Sequence, residues 1–136
     1  MPIEYHIDHG RRLVLATASG KLTAEDFFSY KRNVWSLPDV RGFNELVDAS
    51  KLEEISSLTI EKISELAKLS ANMDDDTIPT KLAIVASDTF LYAMGGLYEA
   101  LRNVNPKSSK KVSVFRSMKE AIDWIEERGL SYGSKK

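Results

Sequence analysis

The sequence predicts an α/β domain: a mixed sheet of about five strands in the order β-β-α-β-α-β-α-β-α, with helices on the sheet faces. Two short strand-like runs open the chain with a glycine-containing turn between them, which is typical of an antiparallel hairpin. Every later strand is reached through a segment with helical periodicity, and such connections favour right-handed parallel crossovers. The sequence therefore predicts a hairpin that continues into a parallel sheet.

The first half of the chain supplies the hairpin, one helix and a third strand. IEYHID and RLVLATAS are the hairpin strands, and we expect Gly10 in the intervening HGR to supply the positive φ that a tight hairpin needs. Thr23, followed three residues later by Asp26, approximates a capping box and starts a helix that ends before Pro38. ELVDAS then predicts a strand that stops at Asp48.

The second half alternates helices and strands. A helix is predicted from about Thr59 to Asn72, and the continuously apolar run KLAIVAS is typical of a central parallel strand. Ser87 or Asp88 caps the next helix. KVSVFR predicts the last strand, and Ser117 opens a capping box for the final helix.

Size and composition restrict the class of protein. The chain has 136 residues, a formal net charge of -1 and no cysteine. We expect one domain over residues 1–128 and a flexible tail over residues 129–136. Interspersed charges argue against nucleic-acid binding, and the lack of a signal peptide or long apolar run predicts a cytoplasmic protein without membrane insertion. The lack of cysteine excludes disulfides and thiolate chemistry.

No motif predicts a cofactor, a metal or a catalytic residue. His6 and Asp8 share one strand face while His9 does not, which makes a poor set of zinc ligands. The acidic run at residues 74–76 lacks the spacing of a calcium loop, and we expect it to be solvated. The glycines of AMGGL lie inside a predicted helix, so they cannot cradle a phosphate as a strand-to-helix loop does.

One stretch resembles a known family. VDASKLEEISSLTIEKISELA, Val47–Ala67, resembles the central segment of STAS domains, the anti-sigma-factor-antagonist fold. With GKLTAEDF, KLAIVAS, LYAMGGLYEAL and VSVFRSMKEAIDWI, the chain up to about Arg128 is similar to the SpoIIAA-like branch, bacterial proteins grouped with STAS and Sec14-type lipid-binding domains. The resemblance implies that fold, and a role in protein interaction or in binding a lipid-like ligand.

The resemblance extends to individual residues. Asp48 and Ser50 match the Asp-x-Ser step of STAS domains. The phosphoacceptor tetrad Asp-Ser-Ser-Gly falls on residues 56–59, where serine replaces the aspartate, Leu58 replaces the second serine and threonine replaces the glycine. Ser57 is thus a candidate phosphoacceptor at a helix N-terminus, and the alternative is that it caps the helix.

The candidate binding residues follow the carboxyl ends of the parallel strands. Ligands of such sheets bind beyond those ends, where helix N-termini leave backbone donors unpaired. We therefore expect a rim of short polar side chains with one arginine and one tyrosine: Asp48, Ser50, Ser87, Asp88, Tyr92, Arg116 and Ser117. Capping and turn formation are the alternative roles of the polar residues, and an ion pair with Asp48 or Asp88 is the alternative for Arg116.

Two adjacent glycines interrupt the predicted helix FLYAMGGLYEAL. Gly95 and Gly96 should each cost the helix about 1 kcal/mol relative to alanine. Either the helix packs closely on the sheet within the monomer, or its thinned flank borders an apolar cavity or a dimer surface. Both glycines therefore count among the candidate binding residues.

The sequence favours a non-enzymatic regulatory or protein-interaction module, with a protein partner or self-association as a homodimer. The alternative is a carrier or sensor of a lipid-like or small apolar ligand, which predicts an internal apolar cavity bordered by the second and third helices. An enzyme that uses Asp48, Ser50, Ser57 and Arg116 is a third interpretation.

Overall fold

The computed structural model describes residues 3–74 and 77–127. The strands are β1 Ile3–Asp8, β2 Leu13–Thr23, β3 Asn44–Ser56, β4 Thr80–Val85 and β5 Lys110–Phe115. The helices are α1 Ala24–Val34, α2 Ile60–Met73, α3 Thr89–Val104 and α4 Met118–Glu126, and a 3-10 turn, Pro38–Val40, precedes β3. No helix in the described ranges is both long enough and apolar enough to cross a lipid bilayer. The predicted tail, residues 129–136, lies outside the described residues.

The five strands form one sheet in the order β1-β2-β3-β4-β5. β1 pairs with β2 in the antiparallel direction, and every later neighbouring pair is parallel. The α/β class, the opening hairpin and the parallel crossovers predicted from the sequence are confirmed. The prediction of a positive φ at Gly10 is wrong, because the hairpin turn places the positive φ at Arg12, where it is 54°.

The helices cover the two faces of the sheet unequally. Because the strands follow one another in the sheet, crossovers of one hand place α1, α2 and α3 on the same face. Side chains alternate between the faces along each strand. Val47 and Ile84 point to the three helices, whereas Leu46 and Ala83 pack against Ile125 of α4 and its neighbours. The protein therefore has three layers: three helices, the sheet, and one helix.

The third strand is longer than the sequence predicted. β4 pairs with the Glu45–Asp48 part of β3, and β3 does not stop there but continues beside β2 to Ser56 as a two-stranded extension. Two register shifts each add one residue to β3, and Gly20, at a φ of 71°, lies beside the second. These bulges break the two-residue alternation, so KLEEIS lacks the sequence pattern of a strand.

Each helix begins at a capping side chain. Thr23 forms the predicted capping box of α1, Asp88 caps α3 and Ser117 caps α4. The cap of α2 is Thr59, whose hydroxyl accepts a backbone N–H of the first turn. The alternative that Ser57 caps this helix is therefore wrong, because the longer β3 moves Ser57 into the connection, where its φ is 63°.

Candidate functional site

A cavity lies between α1, α2, α3 and the face of the sheet that they cover. Its volume is about 130 Å³. Most of its lining is aliphatic or aromatic and includes Phe27, Phe28, Leu52, Ile63, Ile84, Leu91 and Met94. We call it the helix-side cavity. It borders α2 and α3, where the apolar-ligand interpretation expects a cavity.

A buried cluster of charged groups adjoins this cavity at the amino-terminal ends of β3 and β5. Glu45, only 2% exposed, accepts a hydrogen bond from the Tyr30 hydroxyl at 2.8 Å. Its other carboxylate oxygen lies 3.4 Å from Lys110 Nζ and 3.8 Å from Lys31 Nζ. The Glu45 carboxylate therefore forms ion pairs with two buried ammonium groups and accepts a hydrogen bond from one phenol.

The indole of Trp35 completes this set, which we call the ion cluster: Tyr30, Lys31, Trp35, Glu45 and Lys110. The indole N–H donates to the Tyr30 hydroxyl at 3.1 Å. The centroid of the ring lies 3.4 Å from Lys110 Nζ and 4.9 Å from Lys31 Nζ. The negative face of the ring attracts both cations, which offsets part of the cost of burying them.

The ion cluster shifts the pKa values of its members. Burial lowers the pKa of Lys110 to about 7, although Glu45 opposes that shift. Burial acts to raise the pKa of Glu45, but Lys31, Lys110 and the Tyr30 hydroxyl outweigh it and hold this pKa below its ordinary value. Burial and the Glu45 carboxylate raise the pKa of Tyr30 well above its ordinary value. The Glu45 carboxyl is therefore ionised at neutral pH, and Lys110 is the member of the cluster whose pKa lies near neutrality.

A second buried ion pair joins the ends of α2 and α3 to the start of β5. Arg102 is fully buried and donates to Asp74 at 2.7 Å and to the Tyr98 hydroxyl at 2.6 Å. Asp74 also accepts the backbone N–H of Lys110 at 3.3 Å. The prediction of a solvated acidic loop is wrong for Asp74, because the buried guanidinium requires a counter-charge. Residues 75–76 of that run lie outside the described residues.

An open cleft of about 410 Å³ also adjoins the ion cluster. The segment from residue 36 to residue 43, which contains the 3-10 turn, lines it together with residues near the start of β4 and β5. Lys31, Trp35 and Lys110 contribute to the lining. Lys31 lines the helix-side cavity as well, so it forms part of a wall common to both.

Part of the predicted rim does come together beyond the ends of β4 and β5. The Ser87 hydroxyl donates to the Ser50 carbonyl at 3.4 Å, and Arg116 donates to the Ser87 carbonyl at 3.4 Å. The Arg116 guanidinium also stacks on the Tyr92 ring, 4.2 Å from its centroid. Arg116 is therefore held by a carbonyl and an aromatic face.

The two predicted aspartates of the rim have local backbone partners. The Asp48 carboxylate accepts the Ser50 N–H at 3.0 Å within the irregular part of β3, and the Asp88 carboxylate accepts the Leu91 N–H at 3.0 Å. This geometry matches turn formation and capping, which were the alternative roles. Neither aspartate lines the helix-side cavity or the cleft.

The two glycines of α3 differ in their surroundings. A Cβ atom at Gly95 would lie 3.2 Å from a methyl group of Val114, which is tighter than ordinary contact. At Gly96 such an atom would meet nothing within 4 Å. Gly95 therefore permits close packing of α3 on the sheet, and it also lines the helix-side cavity.

Ser57 is separated from the rim by the length of the β3 extension. Asp48 and Ser56 pair with Thr17 and Thr23 of β2, which are six residues apart, so the two β3 residues lie roughly 20 Å apart along the strand. The four residues of the enzyme interpretation therefore do not converge on one point. Across the described ranges, no group of three or more His, Asp or Glu side chains is placed to hold a metal ion.

Sequence reasoning missed the ion cluster, although the alternation of the strands carried a signal for it. Glu45 has the same parity as inward-facing Val47, and Lys110 has the same parity as Val112 and Val114. A charged residue on the buried side of a strand must be paired, because its desolvation is costly. The predicted last strand began at residue 111, whereas β5 begins at Lys110, so the prediction did not include Lys110 in the alternating pattern.

The strand order, the antiparallel opening pair and the distribution of the helices define a SpoIIAA-like fold within the α/β class. A similar solved structure is that of an uncharacterized protein from the DUF3478 family, with a SpoIIAA-like fold, from Shewanella loihica PV-4. The two structures superpose with a TM-score of 0.58 over 90% of this chain and 91% of that chain, at 17% sequence identity. No protein-family model matches the chain, and no curated protein matches it. The similarity therefore concerns the fold alone.

Proposed function

We propose that this protein binds a small apolar ligand in the helix-side cavity and carries out no chemistry of its own. The observation that supports the proposal is an apolar cavity of about 130 Å³ between three helices and the sheet. Protein interiors are normally packed with few voids larger than a water molecule. A space of this size lined by Leu, Ile, Phe and Met side chains favours an apolar occupant over water.

The volume sets the size of the ligand. An apolar cavity of about 150 Å³ holds a benzene molecule, so about 130 Å³ suits a six-membered ring or a short alkyl group. Phe27, Phe28 and Leu58 line the cavity and are partly exposed at the side of α1 and α2. A longer alkyl chain would therefore leave the cavity between these two helices.

The experiment is a titration of the purified protein with benzene and cyclohexane, followed by methyl NMR. We expect saturable shifts at Ile63, Ile84 and Leu91, which line the cavity. Ile125 of α4, which packs on the opposite face of the sheet, is the internal reference. The melting temperature should rise with ligand concentration, because the ligand binds the folded state.

A pair of variants separates cavity binding from surface binding. Ala86 lines the cavity, so Ala86→Leu should fill part of it and weaken benzene binding at least about tenfold. Ala100 lies on the exposed side of α3, so Ala100→Leu should bind as the unchanged protein does. Equal binding by both variants, or no saturable shift with either probe, would contradict the proposal.

A regulatory role through self-association is the second candidate function. The observation that favours it is an exposed apolar residue, Ile60, next to residues 56–59, which align with the STAS tetrad but keep only its first serine, Ser57. Ile60 is 67% exposed at the first turn of α2. Single exposed apolar residues are common on monomers, so this feature supports the candidate only with a measured association.

Sedimentation equilibrium tests self-association directly. A concentration-dependent dimer should be weakened by Ile60→Lys and by a charged mimic of modification, Ser57→Glu. Val104, 78% exposed at the far end of α3, gives the matched control Val104→Lys. A strictly monomeric protein up to millimolar concentration would remove this candidate.

A further inference from the structure

We propose that the open cleft beside Lys31 and Lys110 binds a small organic anion, whose carboxylate or phosphate group lies at the two lysines and whose apolar body lies on the surrounding side chains. The cleft is distinct from the helix-side cavity, and the proposal does not rest on the proposed function. Three features of the described residues support it: the charge balance, the aromatic support and the lining of the cleft.

The buried charges next to the cleft do not balance within the ion cluster. Lys31 and Lys110, 4% and 5% exposed, share the single carboxylate of Glu45. Asp74, which also lines the cleft, already pairs with Arg102 at 2.7 Å. Among the residues that the structure describes, two ammonium groups thus depend on one anion. A ligand anion in the cleft would supply the second negative charge at short range, where the low dielectric makes it effective.

Trp35 holds the lysines beside the cleft without neutralising them. The Lys110 ammonium lies over the Trp35 ring at 3.4 Å from its centroid, and Trp35 lines the cleft itself. A ring face attracts a cation but brings no negative charge of its own to balance it. Both lysines line the cleft, and the indole ring holds their ammonium groups in place beside it.

The rest of the lining sets the class of ligand. The cleft volume of about 410 Å³ lies within the range of roughly 300–1,000 Å³ that is usual for small-molecule sites. Apolar side chains form part of its wall, including Leu37, Pro38, Phe43, Met73 and Ile78, and Arg41 lines it as a further cation. Thr80 also lines it. An inorganic anion would leave this apolar surface unused, whereas an aromatic or aliphatic carboxylate or phosphate ester would cover it.

The charge state of Lys110 gives the site a defined pH dependence. Lys110 faces Glu45 from β3, Lys31 from α1, Asp74 beyond α2 and Arg102 from α3. Its pKa is about 7 in this environment. An added anion favours the ammonium form, so binding should take up a proton and raise this pKa. Affinity should therefore be highest below neutral pH and fall as the pH rises through 7.

The test is a titration with benzoate and phenyl phosphate, with benzyl alcohol as the uncharged probe, followed by the indole N–H signals in NMR spectra. The Trp35 signal should shift in a saturable way with both anions, while that of Trp124, which lies on α4 against Phe115, should stay unchanged. Benzyl alcohol should give no such shift at Trp35. An equal response to benzyl alcohol would show apolar binding only and would overturn the proposal.

Three variants check the role of the lysines. Lys110→Met and Lys31→Met should each weaken benzoate binding at least tenfold, and each is first required to give a dispersed native spectrum. Lys111, the exposed neighbour on β5, provides the control Lys111→Met, which should bind benzoate normally. Having two separate lysine variants keeps the test decisive if one of them does not fold. Unchanged binding in a folded Lys110→Met or Lys31→Met variant overturns the proposal.

The pH arm uses benzoate, which stays ionised throughout the range. If the Lys110 ammonium is required, affinity should be about tenfold weaker at pH 8 than at pH 6, as follows from a pKa of about 7. Affinity that is the same at both values, or that shows no dependence on Lys110, contradicts the proposal. Methyl shifts at Ile84 in place of the Trp35 shift would assign benzoate to the helix-side cavity, which also contradicts it.

Discussion

Glu45 is the residue on which the interior of this protein most depends. It is the shared partner of Lys31, Lys110 and Tyr30, and no solvent reaches it to replace a lost partner. Buried ion pairs contribute little net stability when intact, but loss of one partner leaves an uncompensated charge. The cluster is therefore more sensitive to single substitutions than its small size suggests.

Replacement of Glu45 by glutamine should destabilise the fold by about 3–5 kcal/mol, because two buried ammonium groups lose their counter-charge. Urea unfolding followed by circular dichroism measures the change. Glu53, exposed on the β3 extension, gives the control Glu53→Gln, with an expected effect below about 0.5 kcal/mol. Equal effects of the two substitutions would show that the ion cluster does not hold the charges described.

Lys110 should make the stability of the fold rise with pH above neutrality. Its pKa is about 7 in the folded state and lies near its ordinary value of about 10.4 in the unfolded state. Between these values the unfolded state binds more protons, so the free energy of unfolding increases with pH, by at most about 1.4 kcal/mol per unit. Urea unfolding from pH 7 to 9.5 should show this rise.

The Lys110→Met variant is the control for this pH dependence, because it lacks the titrating group. Its stability should change less over the same range than that of the unchanged protein. Tyr30 does not obscure the comparison, since its raised pKa keeps it protonated in the folded state below pH 10. Parallel pH profiles for the two proteins would mean that Lys110 carries an ordinary pKa.

At the level of elements, the adjacent glycines of α3 have opposite roles. Gly95 faces the sheet and lets the helix approach Val114, whereas the flank at Gly96 is open. The sequence indicates a helix with two costly positions but cannot tell them apart, since both glycines share the same helical stretch and differ only in their direction from the axis.

Alanine at Gly96 should stabilise the fold by about 0.5–1 kcal/mol through helix propensity alone. Alanine at Gly95 should be less stable than alanine at Gly96 by at least about 1 kcal/mol, because its Cβ would meet the Val114 methyl groups at 3.2 and 3.3 Å. Thermal unfolding of the two single variants compares them. A larger stabilisation at Gly95 would contradict the packing of α3 described above.

The start of α2 supports a second prediction at this level. Thr59→Ala should destabilise the fold by about 1 kcal/mol, because it removes the side chain that caps the helix. Ser57→Gly should be neutral or stabilising, because the φ of Ser57 is 63°, a conformation that glycine adopts without strain. Urea unfolding distinguishes the two, and the reverse order of stabilities would place the helix start at Ser57 after all.

At the level of the whole molecule, the sheet has a well-paired centre and a less supported extension. β4 lies between two parallel neighbours, whereas the Lys51–Ser56 part of β3 is registered with β2. A part of a protein with fewer neighbouring strands opens locally at a lower free energy than the centre of the sheet. The extension carries Leu52 and Ile55, which line the helix-side cavity.

Amide hydrogen exchange should therefore be faster in Lys51–Ser56 than in Leu82–Val85 under native conditions. Exchange measured by NMR at several urea concentrations also separates local opening from global unfolding. Amides of the extension should show little dependence on urea, since their opening exposes little surface. Equal protection and equal urea dependence in both segments would mean that the extension and the central strand open as one unit.

The sequence allowed the overall architecture to be predicted because each element carried a local signal. The capping box at Thr23 and the apolar run KLAIVAS are readable without tertiary information. The β3 extension was not predictable, since its two bulges interrupt the alternation that identifies a strand. The sites were predicted less well, because Asp48 and Asp88 have side chains equally suited to capping and to binding.

The ion cluster was beyond sequence reasoning for a different reason. Its members come from α1, β3 and β5, so their proximity follows from the strand order, which the sequence did not give beyond the hairpin. Glu45 and Lys110 are 65 residues apart in the chain. The one signal in the sequence was that both charged residues occupy positions of their strands whose side chains face the protein interior.

The Lys31 side chain forms part of the wall between the helix-side cavity and the open cleft. Its position therefore affects ligands bound in either of them. A molecule that reorients this side chain from one space changes the surface offered to a molecule in the other. Thermodynamic reciprocity then requires that each occupant alters the affinity of its counterpart by the same factor. With both proposed ligands bound, Lys31 would be the residue through which the affinity for one depends on the presence of the other.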